Sequence, residues 1–168
     1  MKRLERLERW LAILIILTLA FIWCHSLMDA EMSSEESGFV TQLITPILEL
    51  IVGKGNVTEH FVRKLAHFSE FALLGMELCL FFTGRKQRKR DGLLLALAHG
   101  LFAALVDETV QIFSGRGPMI QDVWIDFSGV TAGACFQMAV FVICLKIVAE
   151  QRKKAREKSE KEKRPEGS

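Results

Sequence analysis

The sequence predicts an all-α integral membrane bundle of four transmembrane helices, with both termini cytoplasmic and an amphipathic interfacial helix in the first outer connection. Three observations predict it. Apolar and charged residues are sorted into alternating blocks along the 168 residues. Four apolar blocks are long enough to cross the ~30 Å hydrocarbon core of a bilayer. Basic residues collect in alternate connections, as the positive-inside rule requires. The bulk figures conceal this sorting: 50% hydrophobic, 25% charged and a net charge of +2 would suit many soluble domains. They do exclude a strongly disordered chain, and so small a net charge is no electrostatic footprint for nucleic acid. The length fits one domain. Four cysteines in this length do not make a disulfide scaffold.

The first block, Trp10 to Met28, contains no Asp, Glu, Lys or Arg. A cleaved signal peptide is the competing reading. However, no small-x-small cleavage site follows, and Trp23 before Cys24 is too bulky for lipoprotein processing, so an uncleaved span is expected. The second span, about 61–83, contains Arg63, Lys64, His67, Glu70 and Glu77. The third, 93–113, carries His99, Asp107 and Glu108, and the fourth, about 122–148, carries Asp122, Asp126, Gln137 and Lys146. Lys2, Arg3, Arg6 and Arg9 precede the first span; Arg85, Lys86, Arg88, Lys89 and Arg90 join the second to the third. A lysine- and arginine-rich tail follows the fourth. The 29–60 connection is acidic, with Asp29, Glu31, Glu35, Glu36, Glu49 and Glu59 against Lys54. This division gives a basic cytoplasmic segment 1–9, a transmembrane domain 10–148 and a charged cytoplasmic tail 149–168. Trp10, Trp23 and Trp124 fall at span ends, where aromatic belts form.

Within the outer connection, Ser33 and Glu36 have capping-box spacing. Val40, Leu43, Ile44, Ile47, Leu48 and Ile51 follow at helical spacing. This pattern predicts a helix lying on the membrane surface and kinked at Pro46. It serves as a lid over an outward-facing site or as a plain connector, and the connector is favoured. Asn56-Val57-Thr58 matches a glycosylation sequon, a three-residue match that carries no weight. In the tail, Glu150 and Lys154, Glu157 and Lys161, and Glu160 and Arg164 stand at i,i+4, which fits a solvated helix continuing the last span, with disorder as the alternative. The four cysteines all fall inside spans, where they are expected to act as small apolar residues.

Ionisable side chains inside a span are costly and point to function. Lys64, His67 and Glu70 share a face of the second span, Asp107 and Gln111 a face of the third, and Asp122 and Asp126 a face of the fourth. Gly129 and Gly133 continue that last stripe as a small-xxx-small seam. The predicted topology sets His67, Glu70, Asp107, Glu108, Gln111, Arg116, Asp122 and Asp126 at one depth in the outer leaflet. Three readings stay open. The first is an interhelical network in which Lys64, His67 and Arg116 pair with the acids, although buried ion pairs alone are a weak reason to keep so many. The second is a pocket for a lipid-linked headgroup, with Lys64 and Arg116 on phosphate. The third is catalysis, with His67, Glu70, Glu108 and Asp126 as candidates and His67 oriented by Glu70. In that reading Asp107, Glu108, Asp122 and Asp126 are candidate ligands of a divalent cation. No other cofactor is predicted, and binding is favoured over catalysis. Deeper in the bundle, Glu77 and His99 stand at similar depth and are expected to pair. A transporter is disfavoured, because the polar residues crowd one end and the fourth span is almost wholly apolar.

Arg63-Lys64-Leu65-Ala66-His67-Phe68-Ser69-Glu70-Phe71-Ala72-Leu73-Leu74-Gly75 resembles the second-span signature of the VanZ-like family. Asp107-Glu108-x-x-Gln111, Arg116, Asp122-x-x-x-Asp126 and Gly129 continue the resemblance in order, and Ser26 before a Ser/Glu-rich stretch is similar too. It covers about residues 10 to 148. The resemblance implies a small helical bacterial membrane protein of the cell envelope whose polar signature is Lys64, His67, Glu70, Asp107, Glu108, Gln111, Arg116, Asp122 and Asp126. The founding member of that family lowers susceptibility to teicoplanin, a glycopeptide antibiotic. One departure is Phe71, where the family often has tyrosine; this chain has no tyrosine at all. The partners implied are membrane lipids and a lipid-linked envelope precursor, not nucleic acid.

Overall fold

A computed structural model describes residues 2–27, 43–50, 53, 55, 57–85, 89–113 and 119–163, with side chains from residue 5 to residue 157. The described residues form five helices and no strand: α1 (Lys2–Leu27), α2 (43–50), α3 (Glu59–Arg85), α4 (Lys89–Phe113) and α5 (Ile120–Lys163). Four of them, α1, α3, α4 and α5, are long and apolar enough to cross a membrane. The spans contain 23, 27, 25 and 38 residues, against the ~20 needed at 1.5 Å per residue. α2 lies within the stretch predicted as an interfacial helix and leaves Leu43, Ile47 and Leu50 exposed. The Ser33–Glu36 capping box and residues 28–42 lie outside the described residues.

Helix starts follow local chemistry. Thr58 Oγ1 accepts the Phe61 backbone N–H at 3.1 Å, satisfying one of the orphan donors at the start of α3. The threonine of the sequon-like triplet is therefore a helix cap. α5 receives its cap from another helix: Glu108 of α4 accepts the Met119 N–H at 3.0 Å, and its carboxylate sits where the α5 dipole favours negative charge. α5 then runs through the fourth span into the tail, where Lys153 and Glu157 pair at 3.9 Å. The tail is thus a continuation of the span, as its charge spacing predicts.

α3 is the hub, and its contact with α5 is the most extensive among the described residues. α4 packs on α3 and α5, α1 packs on α3 and α4, and α1 and α5 do not pack on each other among the described residues. The central pair is therefore α3 and α4, flanked by the other two. Small residues set the spacing. A Cβ on Gly133 would run into the Ala72 carbonyl oxygen, one on Gly129 into the Phe68 carbonyl, and one on Gly75 into the backbone of Val130. The Val130 side chain meets Gly100 of α4, so one valine is seated between glycines of two neighbouring helices. This is the close approach that glycine seams permit in a bilayer, where helices gain nothing from hiding apolar side chains from lipid.

The burial pattern has the same cause. Phe71, Leu74, Ala96, Ala103, Ala104, Val130 and Ala134 fill the centre, while large apolar side chains face outward, Trp10 at 65% and Phe102 at 66% exposed. Such a surface would drive aggregation in water but suits hydrocarbon. Trp10 and Trp124 point outward as an aromatic belt requires; Trp23 instead packs against the core. Phe71, the departure from the family pattern, is fully buried and serves as a core side chain. All four cysteines are free. The expected Glu77–His99 pair does not form. Glu77 accepts from Thr18 Oγ1 of α1 at 3.1 Å. His99 lies on the exposed side of α4, where its Nδ1 meets the Leu95 carbonyl at 2.8 Å and its ring packs on Phe82. The two side chains face different neighbours, Glu77 towards α1 and His99 outward beside Phe82.

Candidate functional site

Helix direction brings the C-terminal ends of α1 and α4 together with the N-terminal ends of α3 and α5. At this end, hereafter the polar end, the buried charges gather. At the opposite end Arg85 pairs with Glu8 at 2.8 Å, and Lys89 donates to the Thr83 carbonyl.

A cavity of about 240 Å³ opens between α3, α4 and α5 at the polar end. Lys64, His67, Glu108, Gln111, Asp122 and Asp126 line it, all of them expected from the sequence; His60 and Arg63 join them. The lining is graded. Arg63 and Lys64 are half-buried and His60 is exposed, whereas Glu108 is 6% and Asp126 2% exposed. His60, Arg63, Lys64 and the half-buried Asp122 thus stand at the mouth, with Glu108 and Asp126 at the floor. Lys64 Nζ donates to Asp122 Oδ1 at 2.7 Å, a partly buried pair that ties α3 to α5. Arg63 donates to His60 Nδ1 at 3.2 Å.

Asp107 lies behind the cavity, fully buried, and is the most heavily bonded acid of the site. Ser26 Oγ donates to its Oδ1 at 2.6 Å, and Gln111 Nε2 to its Oδ2 at 2.8 Å. His67 Nδ1 is 3.9 Å from that same Oδ2. Hydrogen bonds of this kind hold a carboxylate in one orientation, which matters most where the dielectric is low. By contrast, Asp126 Oδ2 and Glu108 Oε1 are enclosed and have no hydrogen-bond partner among the described residues.

Glu70 has a different place from the one its spacing suggests. Its Oε1 lies 3.1 Å from His25 Nδ1, and its side chain faces a groove between α1 and α3. His25 in turn stacks on His67, with ring centroids 5.6 Å apart and planes within 12°. Glu70 therefore reaches His67 through the His25 ring, and Asp107 is the carboxylate facing His67 Nδ1. Arg116 lies outside the described residues.

His25 and Thr18 are contributions the sequence reading missed, and Ser26 entered it only through the family resemblance, with no place in the site. The signal was present: His25 and Ser26 are the adjacent polar pair closing an otherwise apolar first span, at the depth of the acids on the other helices. They also make α1 part of the site.

The order of these residues along the chain decides the kinship. The VanZ/LLP1 family profile matches residues 11–145, from the first span through the fourth. The chain belongs to the VanZ/LLP1 family. With four apolar helices long enough to span a bilayer, this VanZ-like chain is a multi-pass membrane protein that contacts membrane lipids. No curated protein and no solved structure matches it. The matched region contains every residue that lines the cavity.

Proposed function

We propose that this VanZ-like protein engages a membrane-embedded lipid phosphate, of the lipid-linked cell-wall or surface-polymer class, through the polar-end cavity. The observation that carries the reading is the grading of charge from mouth to floor. Arg63 and Lys64 stand at the mouth, at the level where a lipid phosphate would lie, and carboxylates and Gln111 below suit the hydroxyl or amine groups of an attached sugar. Lys64 has three N–H donors and gives one to Asp122, which leaves donors for a phosphate oxygen. The cavity is somewhat smaller than the ~300–1,000 Å³ of most ligand pockets. That size suits a phosphate with part of its sugar, while the acyl or prenyl chain stays in the bilayer against exposed Met119, Ile120 and Trp124.

The positive-inside rule orients the bundle. The arginines and lysines at the opposite end support a cytoplasmic side for both termini and an outer-leaflet place for the cavity in a bacterial cytoplasmic membrane. There the protein meets envelope precursors after their translocation. Holding such a precursor would change how a glycopeptide such as teicoplanin meets its target.

Titration of the purified protein with a prenyl phosphate tests the binding. The expected result is saturable binding that the corresponding prenol does not reproduce, weakened at least tenfold by Lys64→Ala or Arg63→Ala. Equal affinity for phosphate and alcohol would remove the reading.

A second reading, a hydrolase or transferase acting on a lipid phosphate, is favoured by one observation. His67 lines the cavity with the Asp107 carboxylate held behind it by Ser26 and Gln111, the arrangement of a base and its orienting partner. It requires phosphate release that His67→Asn and Glu108→Gln abolish. Lack of turnover with any lipid phosphate, with or without divalent cation, excludes it.

A further inference from the structure

We infer that His67, Asp107 and Asp126 form a divalent-metal centre at the floor of the cavity. One ligand atom from each of the three lies within 4.8 Å of the other two, a triangle that a single ion can bridge. The residues come from three helices, so no compact sequence motif announces the set. His67 is 12% exposed, Asp107 fully buried and Asp126 2% exposed.

A second observation points to a ligand. Asp126 Oδ2 is enclosed on the cavity wall and meets no donor among the described residues. Glu108 Oε1, on another residue lining the cavity, is in the same condition. Buried carboxylates left without a partner are costly. A cation held by Asp126 removes that cost there.

The surrounding bonds fit the same reading. Metal-binding groups are usually held by outer hydrogen bonds that fix their orientation. Ser26 and Gln111 hold Asp107 in this way, and the His25 ring backs His67. Asp122, a candidate ligand by sequence, is instead engaged by Lys64. One imidazole with two carboxylates is a mixed nitrogen and oxygen donor set. It suits Zn²⁺ or Mn²⁺ better than the all-oxygen preference of Ca²⁺ or Mg²⁺. The inference does not depend on the lipid-phosphate reading, and its test contains no added lipid phosphate.

The full chain, purified in a neutral detergent and stripped with EDTA, is titrated with Mn²⁺ while the signal of the free ion is followed by electron paramagnetic resonance. One ion per chain is expected. Asp126→Asn and His67→Gln should each weaken binding at least tenfold, and Ser26→Ala, acting through Asp107, should weaken it by about 10–100-fold. Asp91→Asn, an exposed acid at the other end of α4, should leave it unchanged. Circular dichroism and gel filtration identify variants that keep the fold, and two ligand variants from different helices guard against the loss of one. Fewer than about 0.2 ions per chain in the unaltered protein would overturn the inference. So would binding by a folded Asp126→Asn or His67→Gln variant that equals the unaltered protein.

Discussion

Asp107 shows how much one residue depends on its donors. It is buried among helices, and its two oxygens are held by Ser26 from α1 and Gln111 from its own helix. Removing a donor from a buried carboxylate costs about 1–3 kcal/mol, the desolvation penalty of the group left behind. Ser26→Ala is therefore expected to lower the thermal midpoint of the detergent-solubilised protein by several degrees, read by circular dichroism. Ser26→Thr, which keeps the hydroxyl, should recover much of it. Lys64 behaves differently. Its pair with Asp122 is about a quarter exposed, so replacing Lys64 should cost about 1 kcal/mol or less of stability, while lipid-phosphate binding falls at least tenfold. That split between stability and binding separates a ligand-facing cation from a merely structural one. Residue identities were largely legible in the sequence, because charged groups in apolar spans stand out. His25 and Ser26 stood out less, because a histidine and a serine at a span's end look like ordinary interfacial residues. Their importance rests on partners 45 and 81 positions away.

At the scale of helices, two kinds of contact hold the bundle, and their magnitudes differ. Polar bonds between transmembrane helices average about 0.6 kcal/mol, so Thr18→Val, which removes the bond to Glu77, should shift the thermal midpoint only slightly. The glycine seam matters more. Gly133→Ala would ordinarily favour a helix by about 1 kcal/mol, but here the added methyl collides with the Ala72 backbone. Overpacking of about 1–3 kcal/mol should reverse the sign, so that Gly133→Ala lowers the midpoint and Gly133→Val lowers it further. An increase in stability for Gly133→Ala would contradict the α3–α5 packing. The seam was legible as spacing in the sequence; its partner helix was not, since period alone does not say which neighbour a face meets. The Glu77–His99 expectation failed for the same reason. Depth follows from topology and residue count, whereas azimuth depends on packing against several helices at once.

For the whole molecule, charge sorting and site location are one argument. A bundle with Arg85 and Lys89 at one end and Glu108, Asp122 and Asp126 at the other has a direction. In a variant with Cys24, Cys79, Cys135 and Cys144 replaced by serine or alanine, a cysteine at Glu35 should react with an impermeant maleimide on intact cells. One at Lys89 should react only after permeabilisation. The reverse pattern would put the cavity on the cytoplasmic side and remove precursors of the outer leaflet as its ligand. The fold class and the number of spans were legible because hydrocarbon imposes so strict a rule on length and polarity. The ligand was not, since the cavity joins three helices and its shape exists only once they pack. The account's central claim is that this cavity holds a lipid phosphate, and mass spectrometry of the lipids retained by the purified protein tests it most directly. A phosphate-bearing lipid retained at about one per chain, and lost from a folded Lys64→Ala variant, is the predicted result; no retained lipid phosphate, or equal retention by that variant, would contradict it.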